Sequence, residues 1–180
     1  MRRLLLLAAL LPTTLSRGAL DYCPITRDTK VIAAMNVDPK EAKCLAVTIY
    51  GEARGESEWG QVAVAWTAIN RAVKHRICSV VLAPKQYSAF NNNRVLRAAA
   101  QSLTLEPLQK NKVDNESWKT AVQIADSVLA KQVPDPTNGA QFYLSDKLMQ
   151  LKHYHYPKWS REYTMVVQID NHKFYKKGKA

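Results

Sequence analysis

The sequence predicts one α+β domain, mainly α, with its strands gathered late in the chain and ending in a β-hairpin. Three observations carry this. Two capped apolar helix patterns run over residues 38–50 and 57–73, and a third helix pattern follows residue 115. From residue 141 onward the chain turns to short β-rich pieces with alternation. A length of 180 residues suits one domain with a real core and is short for two. Hydrophobic residues at 47% and charged residues at 23% are globular values and exclude wholesale disorder.

In "VDPKEAKCLAVTIYGEARG", Asp38 is placed to cap a helix, with Pro39 at the first helical position and Glu41 three residues after the cap. Ala42, Leu45, Ala46 and Ile49 fall on one face, and the helix is expected to stop near Tyr50–Gly51, because Gly51 and Gly55 are poor helix formers. Ser57 caps the next helix, with Val62, Ala65, Trp66, Ile69 and Val73 as its buried stripe. "ICSVVLAP" reads as a short turn or helix stopped by Pro84, "KQYSAFNNN" as a polar loop, and residues 94–104 as an alanine-rich helical segment. Asn115 caps "ESWKTAVQIADSVLAKQ", with Trp118, Val122, Ala125, Val128 and Leu129 inward. "VPDPTNGA" is a turn cluster. "QFYLS", "EYTMVVQID" and "HKFYKK" read as strands, the last two joined at Asp170–Asn171.

Residues 1–18 have the order of a secretory signal: two arginines, an apolar run from Leu4 to Leu11, then small and polar residues ending at Ser16 and Gly18. The run is far short of the roughly 20 residues that span a bilayer. Cleavage after Gly18 is expected to leave residues 19–180 as the exported domain, bound for the periplasm or the exterior, with retention of the segment as an anchor as the alternative. Losing Arg2, Arg3 and Arg17 leaves 23 basic against 15 acidic side chains, a net charge of +8. That excess favours polyanionic partners, and an export signal points to the anionic bacterial envelope rather than to nucleic acid. Cys23, Cys44 and Cys78 allow three pairings with one thiol left over, and no C-x-x-C motif is present.

The candidate for chemistry is Glu52, between an apolar helix pattern and a glycine-bounded turn. Most glutamates are simply solvated. Here Gly51 and Gly55 permit close approach of backbone or ligand, and the apolar helix face offers a wall that raises a nearby carboxyl pKa, which suits an acid working near neutrality. Glu56 and Glu58 read as decoration of the next helix N-terminus, where negative charge is favoured.

"CLAVTIYGEARGESEWGQVAVAWTAINR", "ICSVVLAPKQYSAF", "VPDPTNGAQFY" and "VVQIDNHKFY" resemble, in order, the blocks of the SleB-type cell wall hydrolase family, over about Cys44 to Tyr175. That family includes spore-cortex lytic enzymes, Gram-negative envelope hydrolases and phage lysins. The resemblance implies a lysozyme-like fold, cleavage of the MurNAc–GlcNAc bond of peptidoglycan, and Glu52 as the catalytic acid/base. It implies that Cys44 pairs with Cys78, leaving Cys23 free. Gln61, Gln86, Tyr87, Phe90, Tyr143 and His172 lie in the matching blocks and are the implied substrate-binding residues. The usual Q-F-S-W-like block reads Gln86-Tyr87-Ser88-Ala89-Phe90 here, which alters the aromatic packing expected on the sugar.

Glycosidases of the two-carboxylate kind need a nucleophile or base besides the acid. A lytic transglycosylase needs one acid/base, because the 6-hydroxyl of the muramic acid attacks and leaves a 1,6-anhydro end. Asp135, Asp146 and Asp170 all fall in turn sequences, where aspartate serves local hydrogen bonds. A single acid therefore favours transglycosylation, with hydrolysis by the same glutamate as the alternative. In "LKHYHYPKW", Tyr154, Tyr156 and Trp159 suit either sugar stacking or cover of the core, and Trp159 joins the binding candidates. His153, His155 and His172 raise a metal-dependent amidase or peptidase as a competing class, but no H-E-x-x-H motif accompanies them, so no metal and no cofactor is expected. A non-catalytic basic binding protein is the third class. The expected partner is peptidoglycan, acted on by a monomer.

Overall fold

A computed structural model describes residues 38–91, 93–101 and 112–178. The expected signal segment, Cys23, and residues 102–104 of the alanine-rich segment lie outside these.

The Asp38 carboxylate accepts from the backbone N–H of Lys40 and starts helix α1, Pro39–Ala53. Every side chain from Lys43 to Tyr50 is buried, so α1 is not the one-faced helix the spacing suggested but the central helix, apolar nearly all round. It also runs past its expected end: Gly51 and Glu52 are helical. Packing overrides the low helix propensity of glycine here. A Cβ on Gly51 would stand 2.6 Å from Ala89 Cβ and 3.2 Å from Leu96 Cδ1, so glycine is what lets the following segments close onto α1.

Helix α2, Glu58–Arg71, begins at Ser57, whose Oγ accepts from the Gly60 N–H. It ends two residues earlier than the apolar pattern implied. The Ala72 N–H bonds back to Ala68 and Ile69, leaving Val73 beyond the cap and 80% exposed rather than in the core. Helix α3, Ile77–Val81, is tied to α1 by the Cys44–Cys78 disulfide. Closing a loop with a sequence separation of 34 constrains the unfolded chain by about 3–4 kcal/mol in the chain-entropy account.

The segment expected to be a polar loop contains helix α4, Ser88–Asn91, anchored by its own Phe90 and by Tyr87 just before it, both buried. The aromatic pair outweighs the surrounding polar residues by packing into the main core. Helix α5 spans Arg94–Gln101 and α6 spans Lys112–Leu129. Asn115 lies inside α6 rather than capping it. The helix begins at Lys112, and Asp114 in its first turn receives the Tyr50 hydroxyl at 2.8 Å, fastening α6 to α1.

Strand β1, Phe142–Ser145, leads into the short helix α7, Asp146–Leu151; α8, Trp159–Glu162, precedes β2, Thr164–Ile169, and β3, His172–Lys176. The antiparallel sheet has order β1-β3-β2, with a register shift between Met165 and Val167. Cross-strand register puts Tyr143, Phe174 and His172 on one face, and Phe142 and Tyr175 on the other. The first face packs on the helices: Phe174, Ile169 and Ala140 meet Ala53, Ala63 and Val64 in a second, smaller core. Full burial of Phe174 alone is worth about 1.5–3 kcal/mol. Glu52 sits where these two cores meet.

Candidate active site

The last turn of α1 carries Glu52 to the junction of three elements. Its Oε1 accepts from the Ala89 backbone N–H at 2.6 Å and from Ser88 Oγ at 3.1 Å, both at the start of α4. Its Oε2 accepts from the Tyr143 hydroxyl at 2.9 Å, from β1. The carboxylate therefore faces three fixed donors. Gly51, immediately before it, is the residue that allows Ala89 to come this close.

Burial, and next the Glu52 carboxylate, push the Tyr143 phenol well above its ordinary value. Burial likewise pushes Tyr87 up to about 12. Both phenols are thus held in the protonated form near neutral pH, where the Tyr143 hydroxyl donates to Glu52. The Tyr143 ring is held by His172 edge-on at 5.1 Å, by Phe174 at 5.8 Å and by Tyr87 at 6.3 Å.

A second carboxylate, Glu56, is half-buried and takes a different part from the helix decoration expected of it. It accepts from the backbone N–H of Asn171 at 3.2 Å and from its side-chain amide at 3.0 and 3.1 Å, and its Oε1 lies 4.0 Å from His172 Nδ1. Asp170 accepts from the Ser57 N–H at 2.9 Å and from Ser57 Oγ at 2.6 Å, at the α2 N-terminus where a negative charge is favoured. A Cβ on Gly60 would stand 2.3 Å from Asp170 Oδ2, which explains a glycine in the first turn of a helix. Together these bonds fasten the β2–β3 turn to the start of α2 and fix β3 behind Tyr143. Burial lowers the His172 pKa against the opposing pull of Glu56, Glu52 and Asp170.

The other expected binding residues fall in different places. Gln61 is buried on α2 and donates to the Glu56 carbonyl at 3.2 Å, leaving its Oε1 without a partner. Tyr87 and Phe90, each 2% exposed, belong to the core rather than to an open sugar platform. Gln86 is exposed and its Oε1 accepts from Arg71. Trp159 stacks on Phe142 at 5.5 Å and meets Tyr175 at 5.4 Å, on the sheet face opposite Tyr143, so it covers the outer face of the sheet and does not join the Glu52 cluster. Tyr154 is exposed, and Tyr156 donates to Asp146. Asp146 also pairs with Lys173 at 2.8 Å, and Asp135 accepts from Thr137, Gly139 and Asn70. Among the described residues no three His, Cys, Asp or Glu side chains are grouped so as to hold a metal ion, and no helix is long and apolar enough to cross a membrane.

Sequence reasoning passed over Ser88 and the Ala89 amide, because the stretch around them looked like a loop. The buried aromatics at Tyr87 and Phe90, three apart, were the available sign of a helical turn. Arg71 was also passed over. Its guanidinium lies over the rings of Tyr87, at 5.3 Å, and Phe142, at 5.4 Å.

This fold and site define a wall-degrading enzyme: residues 55–175 match the Cell Wall Hydrolase family, and the chain belongs to that family. The matched stretch begins three residues after Glu52. Two solved structures share the fold. The catalytic domain of the Bacillus cereus SleB protein aligns with a TM-score of 0.51 at 23% identity, over 79% of this chain and 94% of its own. The catalytic domain of the germination-specific lytic transglycosylase SleB from Bacillus anthracis gives the same score and identity, over 79% of this chain and 98% of its own. The mainly helical architecture with a small late sheet, expected from the sequence, is shared with these domains. No curated protein sequence matches the chain.

Proposed function

We propose that this chain cleaves the MurNAc–GlcNAc bond of the peptidoglycan glycan strand as a lytic transglycosylase, with Glu52 as its single acid/base. The observation that carries the reading is the division of labour among carboxylates. Glu56 and Asp170 are each committed to the β2–β3 turn, while Glu52 takes its donors from α4 and β1, away from that turn. The lytic transglycosylase name of the Bacillus anthracis domain supports the same outcome.

In this mechanism Glu52 gives its proton to the glycosidic oxygen as the bond to the muramic C1 breaks. The GlcNAc leaves with a free hydroxyl. Glu52 then takes the proton of the muramic 6-hydroxyl as that oxygen closes on C1, so one group serves in turn as acid and base and no water is consumed. Ser88 Oγ, the Ala89 N–H and the Tyr143 hydroxyl hold the carboxyl in place through both transfers. The +8 charge expected after export suits an anionic envelope, where attraction falls off over roughly 10 Å at 0.1 M salt.

Mass spectrometry of the fragments released from purified peptidoglycan tests the reaction type. The expected fragments end in 1,6-anhydro-muramic acid. Reducing muramic ends would make the enzyme a hydrolase using the same glutamate, and release of free peptides with intact strands would make it an amidase.

A further inference from the structure

Arg71 closes α2 beside a pocket of about 340 Å³ lined by Arg71, His75, Ser79, Val80, Ala83 and Gln86. Its guanidinium is clamped by the Tyr87 and Phe142 rings and donates to Gln86. Among the described residues no carboxylate pairs with it. A half-buried arginine, held in one orientation by two aromatic faces and left without an anion, is set up to receive a carboxylate through its forked donors. Val80 and Ala83 give the pocket lining an apolar part beside the polar His75, Ser79 and Gln86.

This pocket adjoins the Glu52 cluster. Tyr87, under the Arg71 guanidinium, packs on Tyr143, and Tyr143 donates to Glu52. Two aromatic rings thus separate the guanidinium from the acid/base. Peptidoglycan carries short acidic peptides on its muramic acids, and an extended peptide reaches about 3.3–3.6 Å per residue away from the sugar that bears it.

We infer that the Arg71 pocket is a subsite for the stem peptide of peptidoglycan, in which Arg71 and Gln86 bind a stem carboxylate and Val80 and Ala83 receive its small apolar side chains. The inference rests on the glycan-strand reading for the identity of the substrate, but its test does not depend on cleavage.

The experiment measures binding of GlcNAc–MurNAc-tetrapeptide and of GlcNAc–MurNAc without its peptide, by calorimetry. Neither ligand contains a MurNAc–GlcNAc bond, so neither is cut. The wild-type protein is expected to bind the peptide-bearing ligand at least about tenfold more tightly, as a charge-assisted hydrogen bond provides. Arg71→Met keeps the bulk between the rings and removes the charge, and it is expected to abolish the difference. Ser79→Glu, at an exposed position on the pocket wall, places a competing carboxylate beside an intact Arg71 and is expected to do the same. Equal wild-type affinity for the two ligands, or a preference that survives Ser79→Glu, overturns the subsite. Cleavage of peptide-stripped strands, followed in parallel, reports on the glycan-strand reading alone.

Discussion

The Tyr143 hydroxyl donates to Glu52 Oε2 at 2.9 Å, joining residues 91 apart in the sequence. This bond ties the last turn of α1 to the sheet through the Glu52 carboxylate. Tyr143 is itself fixed by three other rings, so Glu52 is aimed by a rigid partner.

Tyr143→Phe keeps the ring packing and deletes only that donor. A hydrogen bond to a charged group is worth about 1.5–3 kcal/mol, so kcat is expected to fall by about tenfold to a hundredfold with KM little changed. Steady-state kinetics on soluble glycan strands checks this. An unchanged kcat would mean that Ser88 and Ala89 suffice to hold the carboxyl.

Gly51→Ala sets a gain in helix propensity of about 1 kcal/mol against overpacking that typically costs about 1–3 kcal/mol. The added Cβ meets Ala89, whose N–H is bonded to Glu52, so the displaced group is part of the site. The expected variant is folded, no more stable than the wild type, and loses activity out of proportion to its stability. A raised melting temperature with full activity would show that α4 yields without cost.

His172 supplies a pH dependence. Its folded pKa lies below the ordinary 6.5 because burial disfavours the imidazolium. The unfolded chain therefore binds the proton more readily, and stability is fully present above about pH 6.5 and declines as pH falls from there through the folded pKa. His172→Gln is expected to flatten that decline between about pH 5 and 7, as read from thermal melts. A wild-type melting temperature constant over that range would contradict the assignment.

The start of α1, the cap of α2, the turn cluster at Asp135–Gly139 and the three strands could be read from local sequence, because caps, apolar periods and turn residues act over a few positions. Glu52 stood out for its glycines and its apolar neighbours. The misreadings share a cause. Gly51 is helical because distant Ala89 and Leu96 occupy the space its side chain would take, and Tyr87 and Phe90 fold a polar stretch into α4 because a core elsewhere in the chain accepts them. Glu56 looked like a helix-end charge, yet it binds Asn171 at a separation of 115 residues. Such partners are set by topology and leave no mark within a short window.

The most direct test of the account is the rate at which fragments leave purified peptidoglycan under folded Glu52→Gln protein. Glutamine keeps the size and the hydrogen-bonding shape but has no proton to give the glycosidic oxygen. General acid–base catalysis is typically worth about 10²–10⁴-fold, so release is expected to drop by at least that much while the melting temperature holds. Release at near the wild-type rate would contradict the account and leave Glu52 a structural residue at the end of α1.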